Sequence, residues 1–283
     1  MGFGYGTKIS QYRIDPAALA KSGTKANLRY LTLDDSAEVL GCFNRYARNT
    51  HGMILGIPRV IDSYFSTADS HVVGYVEGEQ VRGYIYFKFD TKADFPLNEL
   101  IIEEFMYESK KAMNQLLSFL YTQLDQISRI VFNSHDDSIH YLLSDPRNGS
   151  FHIIPPVYHE TNTQGIGLMY RFININKYFE ALENHDFGGQ SCRILIKLQD
   201  TFSPENAGST VILFDEGQAR LNGDSYEEVI EMDVSDFSSL VMGVISFEKL
   251  FQFDLEQISD QSYLDVVSRI FRCNVQPVCL TRF

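Results

Sequence analysis

Residues 99–132 read ELIIEEFMYESKKAMNQLLSFLYTQLDQISRIVF, and the order of patterns within them decides the fold. Glu99 to Tyr107 is a β-rich run. After it, Met113, Leu116, Leu117, Leu120, Leu124 and Ile127 recur at the three- and four-residue spacing that brings side chains onto one face of a helix. The stripe is continuous, so it predicts a core face rather than a cofactor box. Arg129 to Phe132 then returns to strand character. Strand, helix and strand in succession predict an alternating β/α domain.

Working upstream, His71 to Phe89 holds two β-rich runs around Glu77-Gly78-Glu79 and predicts a hairpin. Pro58 suits a helix N-terminus ahead of Val60, Ile61, Tyr64 and Phe65. Ser36 to Arg48 is helical, with Val39, Leu40 and Phe43 on one face, and Asn27 to Leu33 is a strand. The first segment, Gly2 to Ile14, is rich in aromatics and glycine and ends at Asp15-Pro16. It predicts a strand with no visible neighbour. A lone strand cannot pair its backbone, so the expectation is that this segment has lost its partner strands, a hint of truncation, or borrows them from elsewhere.

Downstream, a short helix around Ile139 to Leu143 and a strand ending near Asn174 complete the middle region. From Ile175 the texture changes. A helix carries Tyr178, Phe179 and Leu182, strands follow between Gly208, Gly217 and Gly223, and two closing helices bear Phe237, Leu240, Val241, Val244 and Tyr263, Val266, Val267, Ile270, Phe271. This predicts a separate α+β domain.

The chain has 283 residues, 44% of them hydrophobic and 22% charged, the balance of a globular protein with a sizeable core. No apolar run approaches the roughly 20 residues of a membrane-spanning helix. The formal charge of −13, from 37 acidic and 24 basic residues, repels phosphate backbones and argues against nucleic-acid binding. Cys42, Cys192, Cys273 and Cys279 lack metal-ligand spacing and suit reduced thiols in a cytoplasm.

Catalytic motifs are sparse. A loop of the form Gln/Arg-x-x-Gly-x-Gly/Ala between a strand and a helix can hold a pyrophosphate on backbone N–H groups. Gln80-Val81-Arg82-Gly83 approaches it but places Ile85 at the second small position, inside the expected hairpin. His135 and His140 are five apart, off the one-turn spacing that puts two imidazoles on one helical face, so no metal set is expected. Asp136-Asp137 ahead of Ser138 predicts a helix N-terminus. No Gly-x-Ser-x-Gly or paired cysteine nucleophile is present.

Phe3-Gly4-Tyr5-Gly6 followed by Tyr12-Arg13 resembles the end of the first GNAT domain in acetyltransferases of the Eis (enhanced intracellular survival) type. Asn27 to Asn174 resembles the second, degenerate GNAT domain of that family, which keeps the fold without binding CoA. Ile230-Glu231-Met232-Asp233, Phe237 to Gly243 and the closing Pro277 to Phe283 resemble its sterol-carrier-protein (SCP2)-like domain. The resemblance implies an α+β (mixed α/β) chain, divided as 1–20, a remnant strand of a first GNAT domain, 21–174, a degenerate GNAT-like domain, and 175–283, an SCP2-like domain.

It further implies the carboxyl-terminal part of an N-acetyltransferase that uses acetyl-CoA on amines such as aminoglycosides, lysine side chains or polyamines, with scaffold and acceptor-wall roles for this chain. In the family a Tyr acting as general acid lies three residues before the Phe, a position just ahead of Met1. This chain is therefore expected to bind no acetyl-CoA and to be inactive by itself. The one catalytic element carried over is the carboxylate of Phe283, a general base toward the acceptor amine. An α-carboxyl titrates near 3.3 to 3.7, and the neighbouring Arg282 would lower it further. Ring-shaped homo-oligomers, commonly hexamers, are also implied. A rival expectation is an apolar ligand held in the SCP2-like domain among Phe237, Phe247, Phe251, Phe253 and Phe271, although such rings at helical spacing ordinarily fill a core.

Overall fold

The computed structural model describes residues 2–19, 25–90, 98–221 and 225–280. The chain divides into two compact units, residues 8–165 with 278–283, and residues 1–7 with 166–277.

In chain order the strands begin with β1 (Gly4–Tyr5), β2 (Lys8–Ile14) and β3 (Leu28–Tyr30), followed by helices α1 (Ser36–Arg48) and α2 (Pro58–Ser63). The hairpin β4 (Ser70–Glu77) and β5 (Gln80–Asp90) precedes β6 (Glu99–Tyr107), α3 (Lys110–Tyr121) and β7 (Arg129–Ser134). Short strands β8 (Ile153–Ile154), β9 (Tyr158–His159), β10 (Asn162–Ile166) and β11 (Met169–Tyr170) lead to α4 (Ile175–Ala181). The remainder is β12 (Cys192–Gln199), β13 (Gly208–Asp215), β14 (Gln218–Leu221), β15 (Glu228–Asp233), α5 (Val234–Val241), α6 (Phe247–Gln252), β16 (Glu256–Ile258) and α7 (Leu264–Ile270).

The first unit is built on a seven-stranded sheet in the order β10-β2-β7-β6-β5-β4-β3. From β2 to β3 the neighbours run antiparallel except β6 and β7, which are parallel and joined by α3. A parallel pair needs such a crossover, and the helix supplies it. Successive side chains on a strand point to opposite faces, so β5 serves two cores. Ile85 and Phe87 meet Leu116 and Phe119 of α3, while Tyr84 and Tyr86 meet Val39, Cys42 and Phe43 of α1. The α3 stripe stops earlier than its period suggests. The helix ends at Tyr121, where the Thr122 hydroxyl donates back to the Phe119 carbonyl at 2.7 Å, and Leu124 is 47% exposed.

The N-terminal segment is not a single strand, and it borrows its partners from far along the chain. It forms two strands, each paired. β2 lies inside the seven-stranded sheet, with Tyr12 opposite Phe132 and only 1% exposed, and β1 pairs with β11, Gly4 opposite Tyr170. Both partners lie more than a hundred residues away in sequence, where no local pattern can reveal them.

The second unit is an α+β arrangement on a five-stranded sheet, β14-β13-β12-β15-β16, with β12 and β15 parallel. Ile194, Ile196, Leu198, Ile230 and Met232 project from one face into a core completed by Phe179, Phe237, Phe247 and Phe271. Phe253, by contrast, is 59% exposed. Among the described residues no helix is long and apolar enough to cross a membrane.

Candidate functional site

Within the first unit, β6 and β7 pair only from Glu99–Arg129 to Ile102–Phe132, after which the two strands separate. The separation begins at a β-bulge. Tyr86 faces Glu104 and Phe87 faces Ile102, so Glu103 is the extra residue in β6. A bulge bends its strand and increases the local twist, which carries the second half of β6 away from β7.

A cavity of about 370 Å³ lies in the opening, lined by Ile102, Phe105, Leu117, Leu120, Ile130 and Leu142 among others. Val278 and Leu280 complete one wall, the Val278 amide donating to the His51 carbonyl at 2.8 Å. The buried Glu104 carboxylate accepts hydrogen bonds from the Tyr64 and Tyr84 hydroxyls, the latter at 2.7 Å. Burial and this carboxylate hold the Tyr84 phenol well above its usual range, so it stays a donor.

The connection from β6 into α3 is where a pyrophosphate loop would have to lie, a strand running into a helix N-terminus. It reads Glu108-Ser109-Lys110-Lys111-Ala112 and contains no glycine. The Ser109 hydroxyl already accepts the Ala112 amide at 3.1 Å. Glu108 accepts from Arg45 at 2.8 Å and from Arg82 at 2.9 Å, so both cations are committed to an acid of the chain itself. A bound phosphate would meet the Glu108 charge and find no open glycine backbone. These residues do not fit the pyrophosphate of CoA.

Gln80-Val81-Arg82-Gly83 lies in β5, as its hairpin setting implied. Gly83 is small for packing, because an added Cβ would stand 3.0 Å from the Met106 carbonyl oxygen and 3.2 Å from the Ala112 side chain of α3. His135 and His140 each place Nδ1 2.9 Å from a backbone carbonyl, of Lys8 and of Asp137. Asp136 accepts the Ser138 amide at 2.7 Å in a turn ahead of the 3-10 helix Ile139–Leu142. Among the described residues no group of three His, Cys, Asp or Glu side chains is placed to hold a metal ion. Phe283 and Arg282 lie outside the described residues.

Three further concavities among the described residues are lined by charged or polar side chains. One of about 540 Å³ in the first unit is lined by Arg129, Arg147, Asp145, His152 and Glu160, whose charges pair with one another or with Asp15. In the second unit, a groove of about 560 Å³ is lined by Glu248, Lys249, Asp265, Arg269 and Arg272, and one of about 210 Å³ by Asn174, Asn176, Glu205 and Thr210. Neither is lined by the rings named for the rival apolar ligand apart from Phe271.

Sequence reasoning missed the bulge and the Glu104 cluster. The doubled acid Glu103-Glu104 interrupting an apolar alternation was the available signal for both.

Residues 59–164 match the family model described as acetyltransferase (GNAT) domain, and residues 179–280 match the sterol carrier protein domain model. No curated protein matches the chain. Among solved structures, the GCN5-related N-acetyltransferase from Anabaena variabilis superposes with a TM-score of 0.78 at 18% identity, over 100% of this chain and 69% of that one. A conserved protein of unknown function from Enterococcus faecalis gives 0.77 at 17% identity, over 100% and 68%. Eis1 from Mycobacterium abscessus gives 0.71 at 18% identity, over 100% and 69%. The fold is thus a GNAT-like domain followed by a sterol carrier protein domain.

Proposed function

We propose that this chain is the carboxyl-terminal portion of an Eis-type, acetyl-CoA-dependent N-acetyltransferase acting on amines in the cytoplasm, supplying scaffold and acceptor-site wall rather than the cofactor site. The observation that carries this reading is the β6–α3 connection. It has the topology of an acetyltransferase but places Glu108, tied to Arg45 and Arg82, where a phosphate would need open backbone. A degenerate GNAT unit implies that the cofactor is held by another domain, in line with the longer chains of the similar structures. In the assembled enzyme the Phe283 carboxylate acts as the base toward the acceptor amine. That Val278 and Leu280 line the cavity of the GNAT-like unit supports this role. Assembly as a homo-oligomer belongs to the same reading.

Calorimetric titration of acetyl-CoA into the purified chain tests it. No saturable heat is expected, and no acetyl transfer to polyamines, lysine peptides or aminoglycosides. Saturable binding would overturn the assignment of residues 8–165 as a degenerate unit. In a chain that also carries a CoA-binding domain, deletion of Phe283 is expected to lower the transfer rate on the order of a hundredfold, the usual scale of a general base.

A further inference from the structure

Protein interiors are close-packed, and voids larger than a water molecule are few. The 370 Å³ cleft between β6 and β7 has exposed Asp136 and Tyr141 in its lining and reaches into a unit whose neighbouring side chains, Leu100, Ile102, Leu116 and Ile130, are at most 3% exposed. Its lining is mostly aliphatic and aromatic, a surface that water solvates poorly and that suits an apolar occupant.

One end is different. Tyr46 and Tyr107 line the cavity together with Asp136. Burial first, and the Asp136 carboxylate among the lesser causes, raise both phenols. The Asp136 side chain spends one oxygen on the Ser138 amide, leaving a carboxylate at the polar end of an apolar space. The Glu108 charge, paired with Arg45 and Arg82, opposes a phosphate group on the neighbouring side.

We propose that this cavity is a binding site for a medium-length aliphatic chain with a cationic amine head, the chain lying against Leu117, Leu120 and Ile130 and the head beside Asp136, Tyr46 and Tyr107. The site belongs to the GNAT-like unit, whereas the two concavities described in the sterol carrier unit are lined by charged or polar side chains. It does not depend on the cofactor being bound elsewhere, so it stands or falls separately from the proposed function.

Titration of the whole chain with decylamine, decan-1-ol and decanoate at neutral pH tests the assignment. Decylamine is expected to bind saturably with one molecule per chain, and decanoate at least tenfold more weakly, because its carboxylate would face Asp136. Leu117→Trp fills the apolar end and should weaken decylamine at least tenfold with the unfolding transition retained. Leu142→Trp, on another element that lines the cavity, makes the same test should Leu117→Trp fail to fold. Asp136→Asn keeps the oxygen that accepts from Ser138 and should bring decanoate within threefold of decylamine. Non-saturable decylamine uptake, equal affinity for decylamine and decanoate in the unaltered chain, or unchanged affinity in both tryptophan variants would overturn the proposal.

Discussion

Gly4→Ala is expected to destabilise the sterol carrier unit by about 3 kcal/mol or more, the scale of a severe overpacking or strain substitution. A Cβ at Gly4 would stand 2.1 Å from the Ser235 carbonyl oxygen, 2.4 Å from the Ser239 hydroxyl and 2.9 Å from the Ser239 amide. Two of these are backbone atoms of α5, which cannot swing aside as a side-chain tip can. Relief would require β1 to lift from the helix, breaking its pairing with Tyr170 and the hydrogen bond of 3.0 Å from Ser239 to the Tyr5 carbonyl. Gly6 is held in the same way, its amide on the Leu168 carbonyl at 2.8 Å and a would-be Cβ 2.5 Å from that oxygen. Gly78→Ala is the control. It has a φ of +63° and open space around it, so alanine there should cost only about 1 kcal/mol through the backbone conformation. Urea unfolding of the two variants beside the parent chain measures the difference, and equal losses would refute the close-approach account.

The second large effect concerns pH. Glu256 on β16 lies opposite Met232, is 5% exposed, and among the described residues neither of its carboxyl oxygens has a hydrogen-bond partner. Burial, and then the charge of the fully buried Glu228, push its pKa up to about 7 from 4.5. Glu228 itself is better served, one oxygen accepting from the Ser259 amide and hydroxyl, each at 2.7 Å, and from the Asp260 amide at 3.1 Å.

Between the unfolded and folded values the folded chain holds the proton and the unfolded chain has released it. The unfolded state then binds fewer protons, so stability falls as pH rises from about 4.5, and levels off above about 7. The loss across that window should be about 2–3 kcal/mol for this group. Glu256→Gln cannot ionise. The variant should match the parent near pH 5 and exceed it by that amount near pH 8. Thermal unfolding at both pH values checks this, and parallel curves for parent and variant would mean that Glu256 is charged in the folded chain.

Elements whose stabilising contacts repeat locally were legible in the sequence. The helix Ser36–Arg48 and the strand Glu99–Tyr107 fall at their expected residues, because an amphipathic period and its end signals lie within each segment itself. The stripe from Met113 misled at its far end, since Leu124 keeps the period after the backbone has already turned at Thr122. Phe3-Gly4-Tyr5-Gly6 was legible as a motif, yet its physical reason was hidden. Its glycines are needed because α5 and the Leu168 carbonyl approach them, and both lie far along the chain. The candidate site was less legible still. Glu104 meets Tyr64 and Tyr84 across 40 and 20 residues of sequence.

By itself, then, the sequence determined the element types, the acidic surface charge, the absence of a glycine-rich phosphate loop and the change of texture near Ile175, all properties carried by residues close to one another. Only the tertiary structure decided that the N-terminal segment pairs into two different sheets, that β6 and β7 part at Glu103 to leave an apolar cavity, and that Glu228 and Glu256 share a buried setting. Those outcomes depend on which distant strand lies alongside, and pairing energy between strands is set by register and burial across the whole chain rather than by any window of it.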